Sequence, residues 1–175
     1  MSTAHATFAG GCFWCLEAAF EEVPGVESVT SGYAGGDVED PSYREVSTGS
    51  TGHAECVQVA YDPETVSYVD LLGVFFRVHD PTQLNRQGPD VGTQYRSAIF
   101  AHDDDQLELA REFVETLAAE DAYDDEIVTE IERLETFWEA DGYHQNYYEK
   151  NPGEGYCQMY VEPKVKKVQA MFEAE

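Results

Sequence analysis

Lysine is nearly missing from this chain. Lys150, Lys164, Lys166 and Lys167 are the only four in 175 residues, and the ten basic side chains face 35 acidic ones, a formal charge of -25. Such a surface repels nucleic acid and anionic membranes, which removes both as partners. The acids are spread along the chain. Dense carboxylates keep a protein soluble where salt screens their repulsion, so the charge reads as adaptation to high salt rather than as selectivity for a cationic partner. No stretch approaches the roughly 20 apolar residues of a membrane-spanning helix. The first six residues carry neither the basic flank nor the apolar run of a secretory signal, and a cytoplasmic location is expected. In a reducing compartment, the four cysteines serve catalysis or metal binding rather than as structural staples.

Internal repeats, linkers and low-complexity segments are also missing. With 42% hydrophobic residues, the composition suits one folded domain over residues 1–175, with a core at about 6–160 and a tail at 161–175. Periodicity predicts strands at 6–9, 26–34 and 54–61, a short strand-like piece at 43–47, and further strands at 95–102 and 127–131. It predicts helices over 13–22, 67–78, 103–120 and 137–151, and a helical end to the tail beyond Tyr160. Residues 79–93 form a long loop rich in Pro, Gly, Asn and Gln, and long loops in compact domains are often functional. The irregular alternation of strands and helices indicates an α+β fold with helices packed on a mixed sheet.

Chemistry is concentrated in Gly10-Gly11-Cys12-Phe13-Trp14-Cys15, where a strand meets a helix. A cysteine at a helix start faces free N–H groups and the positive end of the dipole, which lower its pKa toward the nucleophilic thiolate. Phe13 and Trp14 set an apolar wall beside it. A Cys-x-x-Cys pair also serves as a thioredoxin-like redox motif or as half of a zinc site. Zinc needs a second such pair, and the chain has none; Phe-Trp is bulkier than the usual spacer of a redox motif. Glu55 lies among apolar neighbours in the 54–61 strand, where desolvation would raise its pKa and make it a proton donor. Residue chemistry alone does not single it out from 35 acids, and His53 reads more readily as a turn residue than as a base. Arg86, Gln87, Asp90, Gln94 and Tyr95 cannot form a core, so they bond to one another or line a site. Tyr33 and Tyr95 are either ordinary core aromatics or donors to a polar substrate oxygen. Tyr156-Cys157 follows a Pro/Gly loop, and a cysteine on a mobile loop can approach another sulfur.

The order of short motifs along the chain resembles that of the peptide methionine sulfoxide reductase A family. These are Gly-Gly-Cys-Phe-Trp at 10–14, Gly-Tyr-Ala-Gly-Gly at 32–36, Thr-Gly-His-Ala-Glu at 51–55, His-Asp-Pro-Thr-Gln at 79–83, Asn-Arg-Gln-Gly at 85–88, Asp-x-Gly-Thr-Gln-Tyr-Arg-Ser at 90–97 and His-Gln-x-Tyr at 144–147. The match spans residues 6–160. The resemblance implies a two-layer sandwich similar to a ferredoxin-like plait and reduction of methionine-S-sulfoxide, free or in proteins. It implies Cys12 as nucleophile, Glu55 as the acid that protonates the sulfoxide oxygen, Tyr33 and Tyr95 as hydrogen-bond donors to it, and Asp90 ordering the polar side. Phe13 and Trp14, with Tyr156, would bind the substrate. Cys12 becomes a sulfenic acid, which a second thiol converts to a disulfide. Cys157 matches the family's C-terminal resolving cysteine; Cys15, where many members have Gly, is an alternative or a relay. The implied partners are methionine sulfoxide and thioredoxin or an equivalent dithiol, with no metal and no bound cofactor. Cys56 reads as a packed core thiol.

The charge of -25 leads to an expected dependence on salt. The melting temperature should be higher in molar KCl than in dilute buffer; equal values in a thermal scan would contradict the self-repulsion reading.

Overall fold

A computed structural model describes residues 3–87, 90–140, 142, 144–151 and 153–173. In chain order the elements are β1 (Ala4–Ala9), α1 (Phe13–Glu21), β2 (Val26–Ala34), α2 (Tyr43–Ser47), β3 (Ala54–Tyr61), α3 (Tyr68–Val78), β4 (Arg86–Gln87), β5 (Asp90–Val91), β6 (Ala98–Ala101), α4 (Asp104–Ala119), β7 (Glu130–Arg133), β8 (Trp138–Glu139), α5 (Tyr147–Lys150) and α6 (Glu162–Glu173). A 3-10 turn at Thr93–Tyr95 precedes β6, and a π-helical turn at Cys157–Val161 runs directly into α6.

Six strands pair in the order β7-β6-β1-β3-β2-β8. All neighbours are antiparallel except β6 and β7, so the sheet is mixed as expected. Alternation along the strands sorts their side chains onto two faces. Phe8, Val57, Val59 and Ile99 join one large core with the helices, while Ala9, Ala34, Ala54, Cys56, Ala98 and Phe100 form a smaller cluster with Leu134 and Phe137. Cys56 is fully buried in that second cluster, away from the face that carries Val57. Helix α1 lies on β2 and β3 and also touches α3, α5 and α6, so its first turn sits over the middle of the sheet.

Five stretches differ from the sequence expectations. Residues 43–47 are a helix, because Ser42 and Glu45 form a reciprocal capping box: Glu45 N–H donates to Ser42 Oγ at 3.1 Å and Ser42 N–H to Glu45 Oε1 at 3.0 Å. The strand expected at 95–102 begins only at Ala98, since Tyr95 closes the 3-10 turn. The strand expected at 127–131 lies at Glu130–Arg133, where parallel pairing puts Ala98 opposite Glu130. Residues 137–151 are not one helix. Trp138 and Glu139 extend the sheet edge against Tyr33 and Gly32, and Asn146, left-handed at φ 56, separates them from the single turn of α5. Finally, Cys157 sits not on a mobile loop but in the π-helical turn, with no exposed surface. The Glu162 N–H bonds the Cys157 carbonyl five residues back, which is the widened turn.

Gly32 marks the closest approach across the sheet edge. A Cβ there would collide with the Phe137 ring and the Trp138 carbonyl. Gly32→Ala should therefore destabilise the protein by about 1–3 kcal/mol, read as a lowered urea midpoint at unchanged slope.

Candidate active site

The site begins with a steric demand. Gly11 has φ 90, and a Cβ on it would meet the Gln87 side chain at 2.7 Å; one on Gly10 would meet His79 Cδ2 at 2.9 Å. The double glycine lets β1 turn tightly into α1 beneath two packed side chains, with Gly11 N–H donating to the Tyr95 carbonyl at 3.2 Å. Cys12 then occupies the N-cap position, and its carbonyl accepts from Cys15 N–H at 3.1 Å.

Glu55 sits on β3 directly opposite Tyr33 in the β2 register. Both side chains project from the sheet face that carries α1. Glu55 is fully buried. Its Oε1 accepts from Phe13 N–H at 3.2 Å, one of the free donors of the first helical turn. Its Oε2 has no hydrogen-bond partner among the described residues. Burial pushes this carboxyl up to about 8; Asp90 adds to that, while the Phe13 N–H and the Cys12 thiol oppose it. At neutral pH Glu55 therefore carries a proton.

The helix start does not make Cys12 a resting thiolate, contrary to the expectation from sequence. Burial pushes its pKa well above the ordinary thiol range, with Glu55 and Cys15 adding to the rise. The Trp14 N–H acts the other way, as the helix-terminus argument requires, but less strongly. Desolvation outweighs the dipole because Cys12 is only 6% exposed.

Aromatic rings enclose the pair. Phe13 is fully buried and packs against Tyr33, Tyr43 and His144. Trp14 stacks on Tyr147 with ring centres 3.7 Å apart and planes 7° from parallel, and its indole N–H donates to His144 Nδ1 at 3.3 Å. The Tyr95 and Tyr43 hydroxyls both feel Glu55 and Cys12, which places them around the same point. Burial pushes both phenols up, Tyr43 to about 12, so they remain protonated donors. On the polar side, the Tyr156 hydroxyl donates to Asp90 Oδ2 at 2.6 Å and lies 3.7 Å from Cys15 Sγ. The structure thus gathers Cys12, Phe13, Trp14, Cys15, Tyr33, Glu55, Asp90, Tyr95 and Tyr156 in one place. Cys157 adjoins Tyr156 in sequence, and Cys15 contributes to the upward shift of both Cys12 and Cys157. All four thiols are free.

Other candidates belong elsewhere. His53 is a turn staple, accepting from Gly36 N–H at 3.0 Å through Nδ1 and bonding the Val38 carbonyl at 2.6 Å through Nε2. Gln87 spans Asp80, and Gln94 donates to the Ser47 carbonyl, so the long loop spends most of its polar groups on itself and its neighbours. Sequence reasoning missed Tyr43, mistaken for a strand residue, and Glu17. It noted His144 and Tyr147 only as part of a pattern. Among the described residues no cluster of three His, Cys, Asp or Glu side chains could hold a metal ion, and no helix is long and apolar enough to cross a membrane.

A buried thiol faced by an uncharged carboxyl, with two more cysteines behind it, is the layout of a thiol-dependent oxidoreductase. The model of one family, peptide methionine sulfoxide reductase, matches residues 4–175. A peptide methionine sulfoxide reductase MsrA from Natronomonas pharaonis is 66% identical over 170 residues, covering 97% of this chain and 96% of that protein. The crystal structure of Mxr1 from Saccharomyces cerevisiae in reduced form superimposes with a TM-score of 0.83 at 37% identity, over 90% of this chain and 91% of that one. Mxr1 in complex with Trx2 superimposes at 0.58 and 28% identity, over 83% and 84%. The chain belongs to the peptide methionine sulfoxide reductase family.

The raised carboxyl of Glu55 has a thermodynamic signature. A carboxyl whose folded pKa lies above its unfolded value binds its proton more tightly when folded, so stability is greatest below the unfolded pKa and falls as pH rises through the folded one. Unfolding free energy should decline between pH 4.5 and about 8, with this group contributing at most about 1.4 kcal/mol per pH unit. Glu55→Gln should flatten that decline in denaturant titrations run across the window; an unchanged slope would show that Glu55 ionises normally.

Proposed function

We propose that this enzyme reduces methionine-S-sulfoxide, free or in proteins, at Cys12, in the cytoplasm and without a bound cofactor or metal. The observation that carries the reading is the protonated Glu55 carboxyl held beside the Cys12 thiol, with one oxygen left unpartnered. A sulfoxide oxygen is a poor leaving group as an anion. Glu55 donates its proton to that oxygen, Cys12 sulfur attacks the sulfoxide sulfur, and the thiol proton passes to the Glu55 carboxylate. The hydroxyl then moves from the substrate sulfur to the Cys12 sulfur as the transient sulfur–sulfur bond breaks, so Cys12 is left as a sulfenic acid, methionine departs and the carboxyl is regenerated. The Tyr33 and Tyr95 hydroxyls steady the oxygen, Asp90 with Tyr156 orders the polar rim, and Phe13 and Trp14 receive the methyl group.

A resolving thiol then condenses with the sulfenic acid and releases water. Cys15, one helical turn from Cys12, forms the first bridge, and exchange passes it to Cys157 at the start of the C-terminal helix. The position of Cys15 one turn along α1 from Cys12, with its sulfur 3.7 Å from the hydroxyl of Tyr156, the neighbour of Cys157, supports this relay. Thioredoxin or an equivalent dithiol reduces the final disulfide; the complex of the yeast relative with Trx2 supports that partner.

The test is sulfoxide reduction in high salt, driven separately by dithiothreitol and by thioredoxin, with intact-mass analysis after one turnover. Cys12→Ser should abolish both activities; residual turnover would sink the reading. Cys157→Ser should trap a Cys12–Cys15 disulfide and lose thioredoxin-driven cycling, whereas full cycling would leave Cys157 out of the path. Glu55→Gln should lower kcat by about 10²–10⁴-fold. Wild-type kcat/KM should fall above pH about 8, where Glu55 gives up its proton.

A further inference from the structure

The His144-Gln145-Asn146-Tyr147 stretch takes no part in the steps above, yet its rings cover the indole of Trp14. We propose that Glu17 is a positioning residue that holds this stretch in place as the second wall of the sulfoxide pocket. The proposal rests on the reading of Cys12 and Glu55 for its kinetic consequence only.

Glu17 is 1% exposed, and a carboxyl so deep in a core is costly unless its oxygens are satisfied. They are. Ser31 Oγ donates to Oε2 at 3.2 Å, Tyr147 N–H donates to Oε1 at 3.3 Å, and the Asn146 N–H adds a third bond. Two consecutive backbone N–H groups thus converge on one carboxyl where Asn146 adopts its left-handed conformation. No helix of useful length gains from this, since α5 is four residues long.

The gain is in the placement of rings. Glu17 lies three and four residues beyond Trp14 and Phe13, so it shares their side of α1. By fixing Asn146 and Tyr147 it sets the Tyr147 ring 3.7 Å from Trp14 and puts His144 where it accepts the indole N–H. Gln145 secures the same stretch from the other side. Its Oε1 accepts from Ser31 N–H at 2.9 Å and its Nε2 donates to the Ser31 carbonyl at 2.8 Å, replacing a strand beyond the end of β8. Ser31 is therefore gripped by both residues, and the wall is tied to β2, the strand that carries Tyr33.

The experiment uses the full chain in a Trp138→Phe background, which leaves Trp14 as the single indole. Glu17→Gln keeps the shape but loses acceptor capacity; Ser31→Ala removes one bond and serves if Glu17→Gln fails to fold. Both should shift Trp14 emission to longer wavelength as the indole gains water. KM for methionine sulfoxide should rise, about tenfold for Glu17→Gln and less for Ser31→Ala, with kcat within about threefold of its reference. Unmoved emission and KM in the folded variants would overturn the proposal, as would a fall in kcat with KM and emission unchanged. The emission change in a Cys12→Ser protein reads the wall even if Cys12 is not the nucleophile.

Discussion

The removal of Glu55 from water is the constraint on which the site depends. A carboxyl in the middle of a sheet face would ionise and draw in solvent if it had room to do so. Here α1 closes over it, Phe13 offers one N–H to Oε1, and Oε2 has no hydrogen-bond partner among the described residues. The result is a neutral acid at neutral pH, next to a thiol that is neutral for the same reason. Each group is a weak reagent in the resting protein. Proton transfer to a bound sulfoxide oxygen would change both together, because the carboxylate left behind is the base the thiol needs.

The proposed redox path joins two distant parts of the chain. Cys12 and Cys15 share one helix turn, whereas Cys157 arrives from the far end of the chain in a π-helical turn. Tyr156 bridges the two parts, with its hydroxyl on Asp90 and against the Cys15 sulfur. In the proposed relay, moving oxidising equivalents from a closed aromatic pocket to the C-terminal segment requires that contact to loosen. A π-helical turn is a fitting place for such a change, being an irregular helical segment frequently found at functional sites.

The surface and the site follow separate logics. The charge of -25 belongs to the solvent boundary, and the site's own acids, Glu55 and Glu17, are buried and hydrogen-bonded. Acidic composition therefore hid the two carboxyls with the most distinctive surroundings among many that have none.

Much of the fold was legible because it is local. Strand alternation placed β2 and β3, helical apolar periodicity placed α3 and α4, and the double glycine before Cys12 announced a sharp turn into a helix. Family resemblance in the motifs then pointed to Cys12, Glu55, Tyr33, Tyr95 and Asp90, and the structure brings them together. What the sequence did not convey depends on partners far along the chain. The 137–151 stretch has the composition of a helix, but pairing with Gly32 and Tyr33 draws its first part to the sheet edge, and Glu17 and Ser31 fix its middle. The protonation of Cys12 and Glu55 was likewise undetermined by residue type: a helix start argues for a thiolate, and only the depth of burial, a property of the packed whole, decides against it.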